Sequence, residues 1–104
     1  MFSIGLAMTL RPGAYERYKA AHDALWPEIA ASMADNQVSM AIYRDGQRLF
    51  LFAAAPTEAD WIKSRQAPAL ARWDAQMAQL LETGPDGRIA FTRLEKAFGF
   101  GAFA

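Results

Sequence analysis

From Phe2 to Leu10 the chain alternates, with Phe2, Ile4, Leu6, Met8 and Leu10 on one side and Ser3, Gly5, Ala7 and Thr9 on the other. A period of two predicts a strand with one bulky face and one small face. Arg11-Pro12-Gly13 ends it, and a helical period runs from about Gly13 to Ala34. Along that helix Tyr18, His22 and Trp26 recur every four residues, and Leu25, Ile29 and Met33 continue the same face. Pro27 disfavours helical geometry at Trp26, so a kink is expected there. Asp35-Asn36 reads as a turn, Val38 to Tyr43 as a strand, and Arg44-Asp45-Gly46-Gln47 as a hairpin with Asp45-Gly46 at its tip. The return strand, Arg48 to Ala55, is apolar on both faces: Leu49, Leu51 and Ala53 on one, Phe50, Phe52 and Ala54 on the other. Antiparallel strands usually show water one polar face, so a second cover beyond the chain's own helices is expected, most simply a second subunit.

Thr57 suits the N-cap of a short helix from Glu58 to about Arg65, with Asp60 in its first turn. Trp61 there reads as ordinary packing. Pro68 opens another helix to about Glu82, whose inward face is Leu70, Trp73, Met77 and Leu80 or Leu81. Gly84-Pro85-Asp86-Gly87 is a turn, and Arg88 to Glu95 reads as the last strand. The tail carries Phe98, Phe100 and Phe103, which are expected to dock on this subunit or on a partner. The order β-α-β-β-α-α-β predicts an α+β fold of the ferredoxin-like, split βαβ type: one domain over residues 1–104, with a four-stranded antiparallel sheet and helices on one face.

Composition narrows the function classes. Hydrophobic residues make up 53% and charged residues 21% of the chain, enough to build a core. Eleven basic residues balance eleven acidic ones without a basic cluster, which argues against nucleic acid or an anionic membrane as partner. No apolar run approaches the ~20 residues of a membrane span. The absence of cysteine excludes disulfides and fits a reducing compartment. With no leader-like start, the expected setting is cytoplasmic.

His22 is the only histidine. A lone helical histidine is more often structural or merely exposed than functional. Here it is flanked by a phenol and an indole on an otherwise apolar face, an arrangement that suits binding and proton transfer on a small polar ring. It lacks a histidine or cysteine partner for a metal, and Ser32, Ser39 and Ser64 sit in no nucleophile motif. Neither a metal nor an organic cofactor is therefore expected. Trp73, spaced with Leu70 and Met77, is most simply core. Alternatively it is a stacking wall for the apolar face of a sugar. Tyr43 is left open between core, rim and ligand contact. Gly99-Phe100-Gly101 is no phosphate loop, because no helix follows it.

One pattern goes further than spacing. Leu10-Arg11-Pro12-Gly13, Tyr15-Glu16-Arg17-Tyr18-Lys19, His22-Asp23 and Leu25-Trp26-Pro27-Glu28-Ile29 resemble the L-rhamnose mutarotase family, with support from Ala41-Ile42-Tyr43, Leu49-Phe50-Leu51-Phe52 and Arg72-Trp73 with Met77. The resemblance covers essentially the whole chain. It implies a homodimer of the dimeric α/β barrel type and a free 6-deoxy sugar, a monosaccharide, as substrate. It also implies His22 as proton donor, with Tyr18 and Trp73 against the sugar. Three departures stand out. Met40 and Asp74 replace aromatic residues of the family's sugar wall, and the closing Ala97-Phe98-Gly99-Phe100 differs from a Val-Phe-x-Leu-like ending. If Met40 and Asp74 face the pocket, a sugar other than L-rhamnose, such as L-fucose, becomes a candidate. Other readings are a non-catalytic small-molecule binder, a cofactor-free oxygenase of the same fold, or a structural dimerisation domain. A cavity of a few hundred Å³ between helices and sheet would count against the last.

Overall fold

A computed structural model describes all residues, 1–104. The elements are β1 (Phe2–Thr9), α1 (Tyr15–Asp23), α2 (Pro27–Asp35), β2 (Ser39–Asp45), β3 (Arg48–Ala55), α3 (Glu58–Ser64), α4 (Pro68–Met77) and β4 (Thr92–Arg93), closed by a 3₁₀ turn at Gly101–Phe103. The sheet order is β2-β3-β1-β4 with every neighbouring pair antiparallel. That is the ferredoxin-like arrangement expected. The core lies between one sheet face and the helices. Met8, Leu10, Leu49, Leu51 and Ala53 from the sheet meet Tyr18, Ile29, Leu70, Trp73 and Met77 from the helices.

Five local expectations are corrected. The long helix is two nine-residue helices, not one kinked helix. Trp26, forced out of the helical region by Pro27, is extended (φ −61°, ψ 134°), and Pro27 opens α2 where its missing amide costs nothing. Gly13 lies at φ +72°, which a helix cannot hold, so α1 starts at Tyr15. The hairpin tip is Gly46-Gln47: Asp45 pairs with Arg48, and Gly46 takes the positive φ (+60°) at the first turn position.

The last strand shrinks from Arg88–Glu95 to two residues for a related reason. The helix expected to reach Glu82 ends at Met77, and the chain then runs beside the end of β1. Arg11 N–H donates to Leu80 C=O (2.9 Å) and Glu82 N–H to Thr9 C=O (2.8 Å). With that part of the edge occupied, residues 88–90 pair back onto 82–84. Thr92 and Arg93 pair with Ala7 and Leu6 of β1, and Leu94 N–H donates to Gly5 C=O (2.8 Å). Thr57 caps α3 in a full capping box with Asp60.

The outer sheet face is less covered than its sequence asks for. Phe52 is 37% exposed, while Phe98 and Phe100 are each 83% exposed. Phe103 is tied down through its carbonyl, which accepts from Ser3 Oγ (3.2 Å) and Lys96 Nζ (2.9 Å). No helix is long and apolar enough to cross a membrane.

Candidate active site

Residues from α1, α4 and the break between α1 and α2 meet between the helices and the inner sheet face. The i, i+4 spacing within α1 stacks His22 on Tyr18, ring centroids 4.3 Å apart. α4 brings Trp73 edge-on to His22 at 5.1 Å, and Trp26 packs edge-on against Trp73 from behind at 5.3 Å. The imidazole is therefore held on two sides by aromatic rings.

A hydrogen bond fixes which ring nitrogen can work. His22 Nδ1 lies 2.9 Å from the Tyr18 carbonyl oxygen, which only accepts, so Nδ1 carries the proton. Nε2 is left with a free lone pair. Burial lowers the His22 pKa below its usual value, opposed more weakly by the Tyr18 carbonyl and by Asp23. Near neutrality the ring is thus mainly an uncharged base. Tyr18 is buried, and desolvation pushes its phenol up to about 12, so it stays protonated and can donate. A neutral base beside a protonated phenol can take one proton and supply another.

The cavity these groups line holds about 80 Å³ and is otherwise largely apolar, with Met8, Ile29, Leu51, Leu70 and Met77 in its walls. That is narrower than the few hundred Å³ expected of a ligand site. It adjoins a vestibule of about 360 Å³ between α1 and β2, and Tyr18, His22, Leu25, Met33, Met40 and Ile42 line both spaces. The vestibule brings the site into the ordinary range for small-molecule pockets. On the opposite side a groove of about 480 Å³ between α4 and residues 87–91 shares Asp74, Ile89 and Phe91 with the cavity. The most spacious cleft, about 720 Å³, lies on the outer sheet face under the tail, away from His22.

All five residues singled out from sequence come together here: His22, Tyr18, Met40, Trp73 and Asp74 line the cavity. Trp73 is both core and wall, because one edge of a large buried ring is enough to face the space. Two lining residues escaped the sequence. Arg65 sits at the C-cap of α3 and Phe91 on an irregular segment, positions that no periodicity marks. Arg65 Nη2 lies 4.0 Å from Asp74 Oδ1, both partly exposed. Burial raises the Asp74 pKa, while Arg65 opposes the shift. No three side chains of the metal-ligating types gather anywhere in the chain.

A family model described as L-rhamnose mutarotase matches residues 3–100. A protein of Burkholderia orbicola (strain MC0-3) named L-rhamnose mutarotase is 37% identical over 101 residues, covering 94% of this chain and 97% of that protein. One of the same name from Klebsiella pneumoniae (strain 342) is 30% identical over the same shares. Among solved structures, the L-rhamnose mutarotase from Formosa agariphila superposes with a TM-score of 0.79 at 27% identity, over 97% of this chain and 100% of that one. A Mycobacterium tuberculosis protein at 22% identity and TM-score 0.67 shares the fold alone.

Proposed function

The chain belongs to the L-rhamnose mutarotase family, an isomerase family acting on carbohydrates, and on that footing we propose that it interconverts the α and β anomers of a free 6-deoxy-hexose, with L-rhamnose the default substrate. The observation that carries this reading is the orientation of His22. Its Nδ1–H is committed to the Tyr18 carbonyl, leaving a single basic nitrogen in a cavity walled by Tyr18 and Trp73.

The chemistry asks for little else. His22 Nε2 takes the proton of the anomeric hydroxyl. The electrons of that O–H bond form the C1=O1 double bond, and the C1–O5 bond breaks toward O5. The imidazolium then returns its proton to O5. Rotation about C1–C2 and the reverse sequence close the ring on the other face. One group near neutrality serves as base and then as acid. Tyr18, held protonated, donates a hydrogen bond to a ring or anomeric oxygen. Trp73 and Met40 face the apolar side of the sugar, and Asp74 accepts from a hydroxyl. The reaction draws on no cofactor.

The assembly belongs to the same proposal. The exposed Phe52, Phe98 and Phe100 gather on the outer sheet face and tail, and a second subunit covering them makes a homodimer. Cytoplasmic handling of the free sugar is the setting that goes with this reading, with no nucleic acid or membrane as partner. Anomer exchange spectroscopy by NMR on a panel of 6-deoxy sugars tests the function. Acceleration for at least L-rhamnose or L-fucose is expected, and none for any member of the panel refutes it.

A further inference from the structure

We propose that Arg65 and Asp74 form a two-point subsite that selects the sugar by the configuration of a pair of neighbouring hydroxyls, Asp74 accepting from one and Arg65 donating to the other. The proposal deepens the mutarotase reading and rests on it for the identity of the ligand as a free sugar.

A sugar drawn into an apolar cavity must find partners for each hydroxyl it desolvates, or lose the worth of its hydration. Tyr18 and His22 serve the reacting end, at the anomeric and ring oxygens. The remaining walls offer almost nothing polar. Arg65 and Asp74 are the charged side chains in the cavity lining. In the adjoining vestibule Lys19 and Asp23 are spent on each other at 2.6 and 2.7 Å.

The Arg65–Asp74 pair is not spent in that way. At 4.0 Å its closest atoms are beyond the ~2.7–3.2 Å of a hydrogen bond, so the guanidinium and the carboxylate keep capacity for a third party. As a surface ion pair of that length it would contribute little to stability. A donor and an acceptor held side by side match two adjacent hydroxyls, one oriented to accept and one to donate. Placement agrees. Asp74 is the residue after Trp73, so the sugar's apolar face and its hydroxyl edge are met by successive positions of α4. Arg65 reaches the same rim from the end of α3, its guanidinium 5.4 Å from the Trp61 ring. Asp74 also stands where the cavity meets the outer groove, so a hydroxyl bound there lies at the open end of the site.

The test compares native protein, Asp74→Ala and Arg65→Met on L-rhamnose, L-fucose, 6-deoxy-L-glucose and 6-deoxy-L-talose. Binding is read from protein NMR shifts, and turnover from anomer exchange. The native protein is expected to separate the best from the worst sugar by about 10-fold or more, the scale of one hydrogen bond to a charged group. Each variant should collapse that ratio toward one by raising KM for the preferred sugar, with kcat changed less. Both side chains are partly exposed, so the variants should fold, and Arg65→Met keeps the packed stem. Exchange that keeps the native ratio in both variants overturns the proposal, as does a native protein that does not discriminate. Selective binding without exchange, lost in the variants, upholds the subsite and removes the mutarotase reading. Sugars that neither bind nor exchange remove both.

Discussion

Replacing His22 by alanine removes the proposed acid–base group and two aromatic contacts at once, so the two effects must be separated by size. On the stability side, the imidazole loses its edge and face contacts to Tyr18 (4.3 Å) and Trp73 (5.1 Å), each worth ~0.5–1.5 kcal/mol, and the hydrogen bond to the Tyr18 carbonyl. Alanine's better helix propensity offsets a few tenths of a kcal/mol. With the hydrogen bond worth ~0.5–1.5 kcal/mol, a net loss of about 1–4 kcal/mol follows, and for a domain of this size Tm falls by roughly 4–8 °C per kcal/mol. A fold with the usual ~5–15 kcal/mol of stability survives that at 25 °C. On the catalytic side, losing one general acid–base group slows exchange by ~10²–10⁴-fold, or about 2.7–5.4 kcal/mol of barrier. The assay is anomer exchange of L-rhamnose by NMR at 25 °C, with circular dichroism melting on the same sample. His22→Gln, which keeps a polar side chain but cannot titrate, should be as slow as His22→Ala and lose less Tm. A folded His22→Ala protein exchanging at the native rate would refute the reasoning.

Other consequences are equally open to measurement. Burial holds the His22 pKa below 6.5, so background-corrected exchange should persist through pH 7 and fall only below pH 6.5; a midpoint above 6.5 contradicts the neutral-base assignment. The same shift makes the unfolded chain bind the proton more readily, so stability should decline as pH drops through 6.5 toward the lower folded value, a slope that His22→Ala should lack. Tyr18→Phe keeps the stack but removes the donor, and should slow exchange by about 2- to 10-fold, the worth of a ~0.5–1.5 kcal/mol hydrogen bond; no change would take the phenol out of the site. Thr57→Ala breaks the capping box and should cost ~0.5–2 kcal/mol in denaturant titration with exchange unaltered. Sedimentation at micromolar concentration should give a dimer, and Phe98→Asp with Phe100→Asp should shift it to monomer; a native monomer defeats the assembly.

Elements whose pattern is set by their own residues were legible in the sequence. β1 declares itself by alternation, and β3 by an apolar run directly after a hairpin turn. The cap of α3 lies in Thr57 and Asp60, and His22 meets Tyr18 because four residues make one helical turn. Features decided by competition between distant segments were not. Nothing local to Arg88–Phe91 says that it pairs with residues 82–84, because the edge of β1 is taken there by Leu80–Glu82. The break at Trp26 is stronger than a kink because Ala24 has already left helical geometry (ψ 47°). Arg65 reaches the cavity from the C-cap of α3 and meets Asp74 of α4 there, a meeting that no spacing in the chain encodes. Met40 and Asp74 stand out only against the family resemblance, and only the fold turns both toward the cavity.

The central claim is catalysis of anomer exchange, and the most direct measurement follows freshly dissolved crystalline L-rhamnose, a single anomer, toward equilibrium by NMR in dilute neutral buffer. Without added metal or cofactor, the account predicts a relaxation rate that rises in proportion to protein concentration and a final α/β ratio identical to that in buffer. A rate that stays at the buffer value across protein concentrations, for L-rhamnose and for L-fucose followed in the same way, would contradict it.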